Sequence, residues 1–248
     1  MEVNQYYKPE RYKKAEITEI RKFAKIRAKF LIKHFEKNKF KKILELGCGE
    51  GSLAFEIKKT LDSVQIFGLD FSSTAVKLAK DKGIIAKKAD LNLAIPFKNN
   101  EFDLVFSNLL IEHIYNADLL LRESLRVLKK GGYFIVITPN LSFWLNRLLF
   151  LFGIYPIFLE ASLVNKTIGT GFLKKFIFDE EAVGHIRVFN LTALVDMLDL
   201  YGFKIEKKIG IPFPFKLPKF LSLLYSILDW FFSKKPSLAR DIMVIAKK

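Results

Sequence analysis

Hydrophobic and polar positions follow two different periods along this chain. Over residues 16–37, Ile20, Phe23, Ala24, Phe30, Leu31 and Phe35 recur at helical spacing, with lysines and arginines on the opposite face, so an amphipathic helix is expected. Short apolar runs then alternate with helix-like stretches. Strands are expected over 42–46, 64–70, 84–89, 102–107 and 133–138. Helices are expected over 52–61, 72–82 (capped by Ser72) and 117–130, where Leu121, Leu125 and Leu128 repeat at helical spacing. The last of these should close on Lys129 and Lys130, with Gly131 and Gly132 supplying a left-handed cap. Run 133–138 (YFIVIT) is almost wholly apolar, as in a strand buried on both faces.

Beyond residue 140 the alternation stops. An aromatic-rich insert over 141–178, reaching position 189 with its exit, precedes a helix capped by Asn190 and a strand over 203–208. A second insert spans 211–235, and a last strand is read at 241–246. Strands interleaved with helices predict an α/β fold, a parallel sheet with helices on both faces. The organisation read is a single domain over 1–248. It has a basic helical region at 1–42, a ligand-binding core at 43–140, and lids that meet the substrate at 141–189 and 211–235.

The charge of the 248-residue chain sharpens this division. A formal net charge of +15 raises nucleic acid, an anionic membrane or an acidic substrate as partners. Residues 1–42 carry a net +9, residues 43–140 are neutral, and residues 141–248 carry +6. The excess therefore lies outside the core. The two inserts, counted over 141–178 and 211–232, hold 16 of the 35 aromatic residues, including Trp144 and Trp230. Phe213, Phe215, Phe220, Phe231 and Phe232 there accompany Lys216 and Lys219, among Pro212, Pro214 and Pro218. A lid that only caps a site is one reading of this mixture. A lid that also touches anionic lipid is the other. The longest uncharged apolar run, 148–159, has 12 residues, too few to span a bilayer, and lysines break up any secretory signal near the start. A cytoplasmic protein is expected, with membrane association left open. The lone Cys48 excludes an intramolecular disulfide framework and a cysteine-cluster zinc site; no metal ligand set is read.

Segment 43–54, ILELGCGEGSLA, carries the most information. A strand runs into Gly47-x-Gly49-x-Gly51 and a helix follows, so the chain turns sharply and a ligand can approach bare backbone and free N–H groups. Asp70 closes the next strand and Asp90 the one after. A right-handed crossover puts these strand ends side by side, where open α/β sheets bind ligands, and a carboxylate there can accept from both hydroxyls of a ribose. A dinucleotide fingerprint would require Gly or Ala at position 52, which is Ser52.

These segments (ELGCGEG at 45–51, GLDFS at 68–72, ADLN at 89–92, FDLVFSN at 102–108 and LRVLKKGGYFIVITPN at 125–140) resemble class I S-adenosylmethionine-dependent methyltransferases. The nearest branch is the small-molecule (type 11) one that includes ubiquinone-biosynthesis O-methyltransferases. The resemblance implies a Rossmann-like seven-stranded, mostly parallel sheet whose last strand is antiparallel, with S-adenosylmethionine as cofactor. It places Gly47, Cys48, Gly49 and Gly51 under the methionine part with Glu45 nearby. It puts Asp70 and Phe71 at the ribose, Asp90 and the Leu91 amide at the adenine, and Ser107 at the end of the fourth strand.

Methyl transfer is an in-line displacement that depends on positioning, and an oxygen nucleophile must also lose a proton. His113, in an acid–His pair with Glu112 that family members share, is a candidate base. So is His185, in His-Ile-Arg-Val-Phe; His113 is also readable as a residue that only shapes the pocket, and His185 as one that docks the insert. His34 is expected to be structural. Arg187 and Asn140 are candidate acceptor contacts, Arg187 being equally suited to docking the insert. The expected acceptor is small and apolar or lipid/glycan-linked, methylated at oxygen. Amino-group methylation of DNA is disfavoured, because residues 107–110 read SNLL without the proline and aromatic of those relatives. An RNA methyltransferase using the basic N-terminal helix and a non-catalytic cofactor-binding relative stay open. The oligomeric state is not legible.

Overall fold

The strands assemble because alternate residues serve two separate cores. In the computed structural model, which describes residues 14–35, 40–61, 64–176, 180–212 and 219–248, β1 (Lys42–Leu46) sends Leu44 and Leu46 to one core and Ile43 to the other. β4 (Phe102–Asn108), β5 (Leu128–Pro139) and β7 (Asp241–Lys247) are likewise divided. Phe134, Val136, Ile242 and Val244 face one side, and Ile135, Ile137, Met243 and Ile245 the other. Burial on both faces explains their continuous apolar sequence.

With β2 (Gln65–Asp70), β3 (Ile85–Lys88) and β6 (Lys204–Ile211), the sheet order is β3-β2-β1-β4-β5-β7-β6. β7 runs antiparallel to both β5 and β6, and the other pairings are parallel. This is the seven-stranded sheet expected. Helices α1 (Lys14–Phe35), α2 (Ser52–Lys58) and α3 (Ser73–Asp81) belong to one side. Helices α4 (Ala117–Val127) and α6 (Leu191–Leu200) belong to the other. The chain reverses its direction of winding between β1 and β4, so the crevice beyond their carboxyl ends is where a ligand fits.

Ser72 and Asn190 cap α3 and α6 as expected, accepting from Ala75 N at 3.3 Å and Ala193 N at 2.8 Å. The end of α4 differs from expectation. It stops at Val127, and residues 128–132 are already strand, with Leu128 paired to Phe102. The carbonyls of Arg126 and Val127 accept from Asn100 N and Glu101 N. Lys129 binds Asp103 at 2.6 Å instead of capping the helix. Gly131 is left-handed (φ 77°), but next to a register shift of β5 rather than at a helix end. β6 also runs further than expected, into the start of the second insert.

α1 buries Ala24 and Leu31 of the expected face, together with Ala28, and leaves Phe23 and Phe30 half-buried. It also buries Arg27, which donates to Asp241 Oδ2 of β7 at 2.9 Å, so one basic residue lies on the inner face. The side chains of Ile20, His34, Phe35, Lys219 and Phe220 lie outside the described residues, as do Phe213, Pro214, Phe215, Lys216 and Pro218.

The inserts supply α5 (Trp144–Leu151) and α7 (Lys219–Phe232). Trp144 stacks on Phe232 (centroids 5.3 Å apart), lies 5.9 Å from Tyr225, and donates to Asp229 Oδ1 at 3.2 Å. These side chains form a third, small core. The outer face of the same pair is also apolar. On α7, Leu223, Leu224, Ile227, Trp230 and Phe231 recur at helical spacing and are each 55–66% exposed. Leu148, Phe150, Leu151 and Phe152 are exposed at α5. Among the described residues no helix is long and apolar enough to cross a membrane.

Candidate functional site

The glycine loop is built to turn under a ligand. Gly47 and Gly51 sit at φ 68° and 78°, a region costly for residues with a Cβ. A Cβ on Gly51 would stand 3.0 Å from Ala79, where the loop packs on α3. One on Gly47 would stand 2.8 Å from Leu110. Gly49 opens onto free space and donates its N–H to Asp70 Oδ2 at 2.8 Å, while Ser72 N donates to Oδ1 at 2.9 Å. Asp70 therefore ties the loop to the next strand end, with lone pairs left for a ligand. Burial raises its pKa, opposed by these amide bonds. Cys48 faces inward against Gly68, and burial holds its thiol well above the usual range, so it contributes backbone rather than a reactive sulfur.

Gly47, Asp70, Phe71, Asp90, Leu91 and His113 line one cavity of about 210 Å³. Asn92, Leu109, Tyr115, Leu163, Val183 and Gly184 complete much of its wall. These were not anticipated from the sequence, because most come from loops with no motif. The one local signal is Leu109, held at φ 52°, a conformation unusual for leucine and commonest where function fixes the backbone. Asp90 Oδ1 accepts from Asn92 N at 2.9 Å and Asn92 Nδ2 at 3.0 Å.

S-adenosylmethionine fits the donor set around this cavity. At the carboxyl ends of β1 and β4, Glu45 Oε2, Ser107 Oγ and Asn108 Oδ1 are buried with no hydrogen-bond partner among the described residues. Buried polar atoms left without partners are rare and mark a site for a polar ligand or water. Burial, with Asp70 close by, pushes the Glu45 carboxyl well up; a cationic group beside it would hold it ionised.

The two candidate bases come together. His113 closes the short helical turn Ile111–His113, and its ring lies 4.9 Å, centroid to centroid, from that of His185. His113 Nδ1 is 2.9 Å from Gly184 O, and His185 Nδ1 is 2.8 Å from Phe158 O. A carbonyl only accepts, so in each neutral ring Nδ1 carries the proton and Nε2 the lone pair. Ile186 N and Arg187 N both donate to Glu112 O, which docks the second histidine beside the first. Glu160 fixes the turn before it: its carboxylate accepts from Val183 N, Gly184 N and His185 N at 2.6–3.0 Å. No motif around Glu160 marks this role, since its partners lie more than twenty positions away.

Glu112 turns into the sheet, where Oε2 accepts from Thr138 Oγ1 at 2.9 Å. Burial raises its pKa to about 8.

His185 lines a second cavity of about 300 Å³ with Leu145, Phe158, Leu173, Tyr225 and Arg240, and Val183 borders both cavities. His113 thus lines the first cavity, at the carboxyl ends of inner strands, and His185 the more apolar second one, bordered by α5 and α7.

The two expected acceptor contacts lie elsewhere. Asn140 is fully buried; it donates to Ser237 O and Ala239 O and accepts from Ser142 N. Its polar atoms are spent on backbone, so it anchors the insert. Arg187 donates to Tyr115 O at 2.8 Å and docks the loop rather than lining either cavity.

Residues 37–150 match the family described as a methyltransferase domain. A protein of Mycolicibacterium smegmatis named as a probable S-adenosylmethionine-dependent methyltransferase is 27% identical over 170 residues, 68% of this chain and 54% of that protein. A ubiquinone/menaquinone biosynthesis C-methyltransferase of Geobacter sulfurreducens is 36% identical over 104 residues, 39% of this chain and 41% of its own. The chain thus spans about half the length, or less, of these curated relatives. A solved S-adenosylmethionine-dependent methyltransferase from Archaeoglobus fulgidus superposes with a TM-score of 0.58 at 16% identity, covering 92% of this chain and 94% of that one. At that identity the likeness speaks for the fold.

Proposed function

We propose that the chain is, through its cofactor domain, a class I S-adenosylmethionine-dependent methyltransferase. From that premise we propose that it transfers a methyl group to a small apolar or lipid/glycan-linked acceptor, at oxygen. The observation that carries the reading is the pair His113–His185 between a polar cavity bordered by Asp70 and Asp90 and an apolar cavity under aromatic helices.

Bound S-adenosylmethionine supplies an electrophilic methyl on a sulfonium. Asp70 would hold the ribose and Asp90, with the Leu91 amide, the adenine. Glu45 and the backbone of Gly47, Cys48, Gly49 and Gly51 would hold the methionine end. The lid excludes water and positions the acceptor, which for a displacement of this kind supplies much of the rate. The Nε2 lone pairs of His113 and His185 face the remaining task, taking the acceptor's proton. A carbon acid makes the same demand, and the relative named a C-methyltransferase keeps that as the second reading.

The exposed stripe on α7 supports an anionic lipid surface as partner. Leu223, Ile227, Trp230 and Phe231 face outward, and Lys234 Nζ lies 3.6 Å over the Trp230 ring. Apolar side chains at the acyl boundary with lysines toward headgroups is how interfacial helices bind.

The test is transfer of label from methyl-tritiated S-adenosylmethionine into fractionated cell extract. Label in the organic phase is expected, and its loss in His113→Ala. Label confined to RNA would replace this reading with an RNA methyltransferase.

A further inference from the structure

Two imidazoles and one carboxylate converge where the two cavities meet. One ligating atom from each of Glu112, His113 and His185 lies within 4.8 Å of the others. From this geometry we infer that the three residues form a binding site for one divalent first-row transition ion.

Three features of the surroundings fit an ion. The first is the tautomers: each ring gives its Nδ1 proton to a backbone carbonyl, Gly184 O or Phe158 O. Metal-bound histidines are oriented in the same way, with the other nitrogen donating to a carbonyl or carboxylate. The second is the carboxylate. Glu112 is fully buried and held through Oε2 by Thr138, while Oε1 has no partner among the described residues. A buried carboxylate oxygen without a donor is costly, and a cation satisfies it. The third is rigidity: Glu160 clamps the three amides at 183–185, and Ile186 N and Arg187 N bond to Glu112 O, so the parts bearing the three ligands are tied together.

Donor type selects the ion. Two nitrogens and one oxygen suit zinc, iron, cobalt or nickel rather than magnesium or calcium, which prefer all-oxygen shells. Ligand atoms about 2.1 Å from an ion lie at most about 4.2 Å apart, so binding draws the side chains together by rotation. Three protein ligands leave coordination positions open, as in catalytic rather than structural sites. With the ion bound, the histidine lone pairs are spent on it, and at the border of both cavities it lowers the pKa of a coordinated acceptor hydroxyl as a Lewis acid in place of a histidine base. That role rests on the proposed methyl transfer; the binding itself does not.

The probe is cobalt(II), added to chelator-treated full-length protein and followed by its visible absorption, with zinc(II) as competitor. We expect one cobalt per chain, displaced by zinc, and at least tenfold weaker binding in His185→Ala and in Glu112→Gln. S-adenosylhomocysteine affinity should be unchanged in His185→Ala, which also reports its fold. If Glu112→Gln does not fold, His185→Ala decides alone. No cobalt band in wild type, or equal binding in His185→Ala, overturns the site. Methyl transfer by metal-free protein with no cobalt band would sink this inference and spare the proposed activity. Cobalt binding without methyl transfer would do the reverse.

Discussion

At the scale of single residues, polar groups that resemble one another in sequence separate by what they bind. Asp70 and Asp90 border a cavity, whereas Asn140, beside an equally suggestive motif, is consumed by backbone. Glu123 is another residue with only a structural task. It accepts from Arg126 Nε and Nη2 at 2.8 and 2.7 Å and from Ile95 N at 2.8 Å. Arg126 in turn donates to Ile95 O, Phe97 O and Asn99 Oδ1. The pair staples loop 95–99 to α4. The Arg126 hydrogen bond holds the Glu123 carboxyl below its usual range. A depressed carboxyl contributes stability above its unfolded pKa, and that contribution is lost as pH falls through the folded value. Glu123→Gln should therefore lower the melting temperature at pH 7 by about 2–4 °C, equivalent to about 1 kcal/mol for a partly exposed pair. The gap to wild type should narrow below about pH 4. A gap that does not change between pH 7 and pH 3 would contradict the assignment.

At the scale of elements, the expected strands and caps appear because period-two burial and side-chain capping are local signals. α4 ends early for a reason that no local pattern carries: Asn100 and Glu101 claim its last carbonyls from a distant loop. The buried pair of Arg27 and Asp241 joins residues at opposite ends of the chain, and Glu160 reaches amides more than twenty positions away. Both were invisible in the sequence for the same reason. The glycine loop is legible because its pattern is contiguous, and the meeting of His113 with His185 is not, because two distant loops build it. The aromatic content of α5 and α7 is plain in the sequence, whereas the face each turns outward is set by the tertiary packing. Ile227→Glu with Trp230→Glu should abolish flotation with anionic vesicles at low salt and leave S-adenosylhomocysteine affinity unchanged, since neither side chain lines a cavity. Undiminished flotation would remove α7 as the lipid-facing element.

For the whole molecule, the division of charge and the division of labour coincide. The neutral stretch at 43–140 supplies β1 to β4 and most of β5, with the residues proposed to hold the cofactor at their carboxyl ends. The basic, aromatic second half supplies α5, α7, His185 and the apolar cavity. The net charge of +15 thus lies outside the segment that lines the first cavity's strand ends. The account stands or falls on the polar cavity holding S-adenosylmethionine against Asp70. Calorimetric titration of S-adenosylhomocysteine into wild type and Asp70→Ala, with thermal melts of both proteins, tests this most directly. Loss of two charge-assisted hydrogen bonds, each about 1.5–3 kcal/mol, predicts affinity at least about a hundredfold weaker in a variant that still melts cooperatively. Equal affinity in the two folded proteins would contradict it.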